Sequence, residues 1–140
     1  MKKRIFLDDS ILFFLIIENP FKKEIYEQLT YFIKNNYYPV SSLYSLLKIQ
    51  NIFLKLNQHN EFFELFYDLQ QFLENIYSID KEDYKEAFIL CKQFNIDFDL
   101  AYYIAMIKKH QIDKFYSVKF KDKREQLLNQ FNISMIFPYV

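Results

Sequence analysis

Short apolar segments that alternate with longer helical patterns are the feature that most restricts the fold of this chain. Short segments with several apolar residues occur at 3–7, 37–40, 75–79, 114–118 and 133–137, and stretches with helical spacing of apolar residues separate them. Strands joined by helices pair in parallel, and the helices then cover both faces of the sheet. We therefore predict an α/β fold, a three-layer α/β/α sandwich with a central, mainly parallel sheet of four to five short strands.

Length and charge narrow the class of protein. A chain of 140 residues that is 51% hydrophobic can bury a substantial core, so we predict a single folded domain over 1–140. Its 18 basic and 18 acidic residues cancel, so no global field draws it towards nucleic acid or membrane, and any such attraction is local.

The absence of glycine excludes two classes of nucleotide site. The chain contains no glycine, whereas a P-loop and a dinucleotide-binding fingerprint both need glycine where the backbone approaches phosphate. Asparagine is the next residue to tolerate a positive φ. We therefore predict left-handed turn positions at asparagines 35–36, 57, 60 and 95.

The lone cysteine and the amino-terminal segment indicate a reducing, aqueous compartment. Cys91 has no partner for an intramolecular disulfide, which fits a cytoplasmic protein. The apolar run near the start is interrupted by Asp8 and Asp9, and its unbroken part, 11–17, is too short to span a bilayer. We predict a cytoplasmic protein without a membrane-spanning segment.

Helix signals set the expected element boundaries. Asn19 followed by Pro20 predicts an N-cap and first helical position. Asp80 is expected to cap the helix that follows the strand 75–79, and Asp97 or Asp99 to open the next one.

Two parts of the chain resemble a known family. Residues 4–10 read as a strand ending in acid, Arg-Ile-Phe-Leu-Asp-Asp-Ser, and Ala-Tyr-Tyr-Ile-Ala at 101–105 lies in a helix that feeds a short strand. With the order of elements along nearly the whole chain, they resemble the PIN-domain family of VapC-type toxin ribonucleases. The resemblance implies an acidic magnesium site at the carboxyl ends of the strands that cleaves RNA, and an antitoxin as partner.

The family's acids are largely missing. Asp8 matches the first of them, but segment 41–48, where a glutamate would stand, contains no acid. Leu100 occupies the third position, with Asp99 one residue earlier and rotated by about 100° around the helix axis. Lys119 occupies the fourth. The comparison with the family therefore implies a metal site that is largely lost.

Two interpretations of these acids stay open. Asp9, Asp97 and Asp99 could rebuild a weaker magnesium site around Asp8, because they are expected to face the same sheet edge. Alternatively, Asp8 caps the helix that follows it, and Lys119 neutralises nearby acids without any ion.

A basic and aromatic segment is the best candidate for RNA contact. In residues 114–124, basic side chains alternate with aromatic rings. Basic side chains can contact the phosphates of RNA, and aromatic rings can stack on unpaired nucleobases. The alternative is a buried strand followed by a solvated helix start. The candidate contacts are Lys119, Lys121, Lys123 and Arg124.

Helices within 42–74 carry more apolar side chains than one packing seam requires. We predict that part of this surface forms a homodimer contact or seats a partner peptide, with Phe63, Phe66 and Tyr67 as the dimer candidates.

The sequence as a whole leaves two candidate functions. The first is a non-catalytic PIN-like module that binds protein or RNA, and the second is a magnesium-dependent endoribonuclease toxin neutralised by an antitoxin.

Overall fold

The computed structural model describes residues 2–119, 123–131 and 133–136. Within these ranges strands and helices follow one another in the order β1 (Lys3–Leu7), α1 (Asp9–Ile16), α2 (Lys22–Lys34), β2 (Tyr37–Ser42), α3 (Leu43–Lys55), α4 (His59–Phe72), β3 (Asn75–Tyr77), α5 (Lys81–Phe94), α6 (Phe98–Lys109), β4 (Lys114–Tyr116), α7 (Lys123–Gln130) and β5 (Ser134–Ile136).

The predicted three-layer sandwich is confirmed. The five strands lie in the order β3-β2-β1-β4-β5, and every neighbouring pair is parallel. Side chains of β1 alternate between two cores, because successive strand residues point to opposite faces. Phe6 packs with α5, α6 and α7, whereas Ile5 and Leu7 pack with α1 to α4.

The strand order places a topological switch point between β1 and β4. The chain moves outward from β1 through β2 to β3, and then returns to the other side of β1 with β4. The connections that follow these two neighbouring strands run in opposite directions and leave a crevice between the carboxyl ends of the strands. Open α/β sheets bind their ligands in such a crevice. The acids of interest lie at this crevice.

Several boundaries differ from those predicted. Helix α2 begins at Lys22 rather than Pro20, because the Asn19 side chain accepts a hydrogen bond from the Phe21 N–H (2.9 Å) in a turn that precedes the helix. Strand β2 continues to Ser42, since its last residues pair with β3. The predicted strands 75–79 and 114–118 each end two residues earlier. Phe137 of the predicted last strand lies outside the described residues.

Asparagine takes most of the left-handed positions, as predicted. Asn36, Asn57 and Asn95 have φ values of 67°, 55° and 52°. The prediction was wrong at 35, where φ is −96°, and at 60, which lies inside α4. Gln111 also has a positive φ of 56°, which no sequence signal indicated.

None of the helices in the described part of the chain is both long and apolar enough to cross a membrane.

Candidate functional site

Asp8 lies at the switch point, between the end of β1 and the start of α1. Its backbone N–H donates to the Tyr116 carbonyl of β4 (3.3 Å), and its side chain caps α1 by accepting from the Ile11 N–H (3.1 Å). The hydroxyl of Ser10 donates to the same carboxylate oxygen (2.5 Å), and that of Ser117 donates to the other. Asp8 is fully buried, so the chain itself supplies its hydrogen-bond partners.

The environment of Asp8 favours its protonated form. Burial raises the pKa of this carboxyl to about 6, and the negative charge of Asp9 adds to the effect. The Ser10 and Ser117 hydroxyls and the Ile11 N–H act in the opposite direction, because hydrogen bonds to a carboxylate stabilise its charge. Asp8 therefore releases its proton less readily than an exposed aspartate.

Asp9 is paired with Lys119. The Lys119 Nζ lies 2.5 Å from one oxygen of Asp9, and the Tyr103 hydroxyl donates to the other (2.5 Å). Burial, together with the negative charges of Asp9 and Asp8, raises the pKa of Tyr103 well above its ordinary value. The tyrosine therefore stays protonated and remains a donor to Asp9, while its oxygen accepts from the Ser45 hydroxyl (3.2 Å).

Asp99, in the first turn of α6, completes the arrangement. Lys48 of α3 forms an ion pair with it, the Tyr44 hydroxyl donates to it, and Lys119 Nζ lies 3.6 Å away. Lys119 thus bridges Asp9 and Asp99. We call Asp8, Asp9, Asp99, Lys48 and Lys119 the acid–lysine cluster.

The neighbouring positions on α6 point elsewhere. Leu100 is fully buried in the core that α5 and α6 form with the sheet. At the position that corresponds to the family's third acid, both the side chain and its surroundings are therefore apolar. Asp97 is exposed at the N-cap of α6, and its negative charge, after burial, raises the pKa of Cys91 on α5. The acid that reaches the cluster is Asp99.

Sequence reasoning missed Lys48. It lies 51 residues before Asp99, and a lysine on an amphipathic helix usually indicates a solvated face. Burial lowers the pKa of Lys48, and the nearby positive charge of Lys119 contributes, whereas the negative charge of Asp9 opposes the shift. The two ammonium groups therefore face the same acids.

The other candidate RNA contacts are only partly described. Lys121 lies outside the described residues, and Lys123 and Arg124 begin α7 with side chains that also lie outside them. Of the dimer candidates on α4, Phe63 and Tyr67 are exposed, while Phe66 is half-buried against the core that α1 to α4 form with the sheet.

The cluster does not fit a magnesium ion. Magnesium needs oxygen ligands in near-octahedral geometry, and in this structure ammonium groups occupy oxygens of Asp9 and Asp99. A dication at these oxygens would face two positive charges directly. Among the described residues, no group of three or more His, Cys, Asp or Glu side chains is placed to hold a metal ion. The positive charges that these carboxylates contact in this structure are the ammonium groups of Lys48 and Lys119.

A second concave feature lies away from this edge, between α2, α4 and the end of α1. It is a groove of about 580 Å³ with an apolar floor that includes Leu29, Leu65 and Leu69. Glu61, Glu64 and Asp68 of α4 line it as well, and the described lining residues include no basic side chain. The groove therefore combines an apolar floor with charge of one sign.

Solved toxins share this fold. A chain of VapBC2 from Rickettsia felis, solved with a DNA fragment from its promoter, superposes with a TM-score of 0.72 at 14% identity, covering 96% of this chain and 98% of that one. VapC20 from Mycobacterium tuberculosis, described as a sarcin–ricin loop cleaving toxin, gives 0.66 at 11% identity, covering 79% and 86%. A chain of a toxin–antitoxin complex from Klebsiella pneumoniae gives 0.64 at 18% identity, covering 84% and 88%.

Sequence comparisons add nothing to this likeness, because no family model and no curated protein matches the chain. At such low identities the superpositions report on the fold alone, and they extend over most of each chain. The chain has the PIN-like fold of VapC-type toxins.

Proposed function

We propose that this chain is a PIN-like binding module that holds a protein segment of the antitoxin type and does not cleave RNA by a metal-dependent reaction. The proposal that the chain does not cleave RNA rests on the position of Lys119, whose ammonium group bridges Asp9 and Asp99. In a metal-dependent nuclease those oxygens would hold a cation that activates water. An ammonium group supplies the charge without that chemistry.

The groove between α2 and α4 supports the first half of the proposal. An amphipathic helix binds by placing its apolar face into an apolar groove. The acidic side chains Glu61, Glu64 and Asp68 favour a helix flanked by Lys or Arg. Two of the structural neighbours are described as assemblies of toxin with antitoxin. We therefore expect the partner to be a protein of the antitoxin class.

The absence of cleavage is tested with purified protein, single-stranded RNA and millimolar Mg²⁺ or Mn²⁺. We expect intact RNA and a melting temperature that does not respond to either ion, since a ligand that does not bind the native state cannot stabilise it. The alternative function, a magnesium-dependent endoribonuclease toxin, would be established by cleavage that EDTA stops and that Asp8→Asn and Asp99→Asn both abolish. That result would overturn this half of the proposal.

The binding half is tested by co-expressing the chain with the product of a short reading frame directly upstream of its gene. We expect a stable complex, and we expect Tyr26→Lys and Ile33→Lys, two exposed groove positions on α2, to weaken it at least tenfold, or about 1.4 kcal/mol. Tyr31→Lys is the matched control, because Tyr31 is exposed on the same helix but is not among the lining residues. Equal effects at all three positions would exclude the groove.

A further inference from the structure

A gap in the sheet leaves a cavity beside the first residues of β2. Strand β3 begins opposite Val40, whereas β2 already begins at Tyr37. The stretch 37–39 therefore has β1 on one side and no described strand on the other. The ends of α2 and α4 flank this gap and leave a cavity of about 380 Å³. We call it the notch, and it is lined by Ile33, the segment 36–39, Gln71 and Phe72.

The lining of the notch combines aromatic rings with amide groups. Tyr37 is half-buried and Tyr38 is 42% exposed, and both line the notch together with Asn36 and Gln71. Pockets for small molecules are mostly apolar and aromatic, and a few polar groups in them fix the orientation of the ligand. An aromatic ring can stack on a nucleobase, and an amide both donates and accepts hydrogen bonds, as the edge of a nucleobase does.

Ammonium groups lie beside the rings of the notch. The Lys2 Nζ is 4.9 Å from the centre of the Tyr38 ring, and the Lys3 Nζ is 5.1 Å from that of Tyr37. Lys34 is exposed at the end of α2 and stands between two lining residues in sequence. Neither Lys3 nor Lys34 forms an ion pair with a described residue. These groups therefore favour a ligand that carries negative charge.

Nearby acids do not cancel this positive charge. Glu74 lies 3.4 Å from Lys2 and 3.0 Å from Arg4, so one carboxylate faces two cations. Burial raises the pKa of Tyr37, and the negative charge of Asp113 adds to the effect, which places this acid near the ring. No acidic side chain is among the described residues that line the notch. Among the described residues, cations therefore outnumber acids around it.

Two other kinds of occupant fit the notch less well. A peptide could add a strand to the open edge of β2, but the open stretch is short and Pro39 has no N–H to donate. A helix of the partner fits the groove, which shares Ile33 and Phe72 with the notch. The groove is acidic, however, and selects a basic partner, whereas the surroundings of the notch select an anion.

We propose that the notch binds a nucleotide. The nucleobase packs against the rings of Tyr37 and Tyr38, and the amide side chains of the notch meet its edge. The phosphate lies at the ammonium groups of Lys2, Lys3 and Lys34. An exposed cation–π contact is weaker than the stacking of a nucleobase on an aromatic ring, so the base displaces the ammonium group from the ring, and the ammonium group then meets the phosphate.

The site is separate from the features described above. The notch lies at the amino end of β2, whereas the acid–lysine cluster lies at the carboxyl ends of the strands. This proposal is therefore independent of the proposed function. The nucleotide is either a free nucleoside phosphate or part of a single-stranded nucleic acid, because both present a nucleobase next to a phosphate.

Isothermal titration calorimetry of the full chain at low salt tests the proposal with AMP, GMP, CMP and UMP. At least one of them should bind with a Kd below about 1 mM, and the affinity should fall as salt is added. Tyr38→Ala and Lys3→Ala should each weaken binding by roughly fivefold or more. Tyr38→Phe keeps the ring and should bind like the wild type. Ribose 5-phosphate, which lacks the base, should show no binding at the same concentrations.

A single-stranded octanucleotide separates the two sources of the nucleotide. Binding of the octamer that is about tenfold tighter than that of the mononucleotides, and that Tyr38→Ala weakens, assigns the notch to nucleic acid. Equal affinity for the octamer and the mononucleotides assigns it to free nucleotides. Both results support the notch as a nucleotide site.

The matched controls are Tyr67→Ala and Lys92→Ala. They remove an exposed tyrosine of α4 and an exposed lysine of α5, and neither residue lines the notch, so both variants should bind like the wild type. Lys3 is exposed, so Lys3→Ala keeps the test valid if Tyr38→Ala disturbs folding. The proposal is overturned if neither the mononucleotides nor the octamer bind, if ribose 5-phosphate binds as well as the nucleotides, or if the controls weaken binding equally.

Discussion

A single lysine changes the chemistry that the acidic residues can support. The Lys119 ammonium, at 2.5 Å from Asp9 and 3.6 Å from Asp99, holds these two carboxylates together in a partly buried place. Removing such charges from water is unfavourable, and the pairing offsets the loss only while both partners are present. Asp8 contacts hydroxyls rather than an ammonium group, so it is the acid whose charge is least compensated.

Asp8 should make the stability of the protein depend on pH. Folding raises its pKa from 3.8 to about 6, so the native state binds this proton more tightly than the unfolded chain does. The resulting stabilisation is complete below about pH 4 and is lost as the pH rises to about 6. Relative to Asp8→Asn, which does not titrate, the wild-type free energy of unfolding should fall by up to roughly 3 kcal/mol across that window.

Urea unfolding of both proteins at a series of pH values measures this difference. Asp97→Asn serves as the control for the loss of an aspartate carboxylate, because Asp97 is exposed at the N-cap of α6. A wild-type advantage over Asp8→Asn that grows with rising pH would show that the assignment of the proton to Asp8 is wrong.

At the scale of elements, the missing glycines leave a measurable strain at one helix end. Gln111 follows α6 with a φ of 56°, a conformation that is unfavourable for a side chain with a Cβ. Gln111→Gly should therefore stabilise the protein by about 0.5–1 kcal/mol, after allowing for the greater entropy of glycine in the unfolded chain.

The control for this substitution is Asn95→Gly at the end of α5, where φ is 52°. Asparagine already tolerates this region, so the gain there should be smaller. Chemical denaturation midpoints of the two variants give the comparison, and a loss of stability in Gln111→Gly would contradict it.

Helix and strand identity followed from the sequence, whereas several ends did not. The apolar period of α5 and the cap at Asp80 predicted that helix correctly, and the Asp80 side chain accepts from the Glu82 N–H (2.7 Å). The ends of β2 and β3 depend on which strand lies alongside, as the pairing of Ser42 with Tyr77 shows. Pairing partners are a tertiary property, so a local pattern cannot locate those ends.

For the whole molecule as well, the sequence predicts what local patterns and sheet topology determine, but not what depends on tertiary packing. Parallel strands bring their carboxyl ends to one edge, and this rule alone indicated that residues after the first and fourth strands, Asp8 and Lys119, share an edge. Lys48 enters from α3, whose position beside α6 is fixed only when both helices pack on the sheet. The sequence also left open whether position 99 or 100 turns towards that edge, because a helix rotation of about 100° separates them.

That rotation gives a test of the whole arrangement. Leu100→Asp would restore the family pattern in sequence, but its carboxyl would lie in the core, so we expect a loss of roughly 3–5 kcal/mol and no affinity for magnesium. Lys119→Asp should behave differently. It would place a fourth carboxylate beside Asp8, Asp9 and Asp99, which destabilises the protein without an ion and should let millimolar Mg²⁺ raise its melting temperature. Thermal unfolding with and without Mg²⁺ separates the two variants, and a wild type that responds to Mg²⁺ as strongly as Lys119→Asp would show that the lysine does not take the place of a cation.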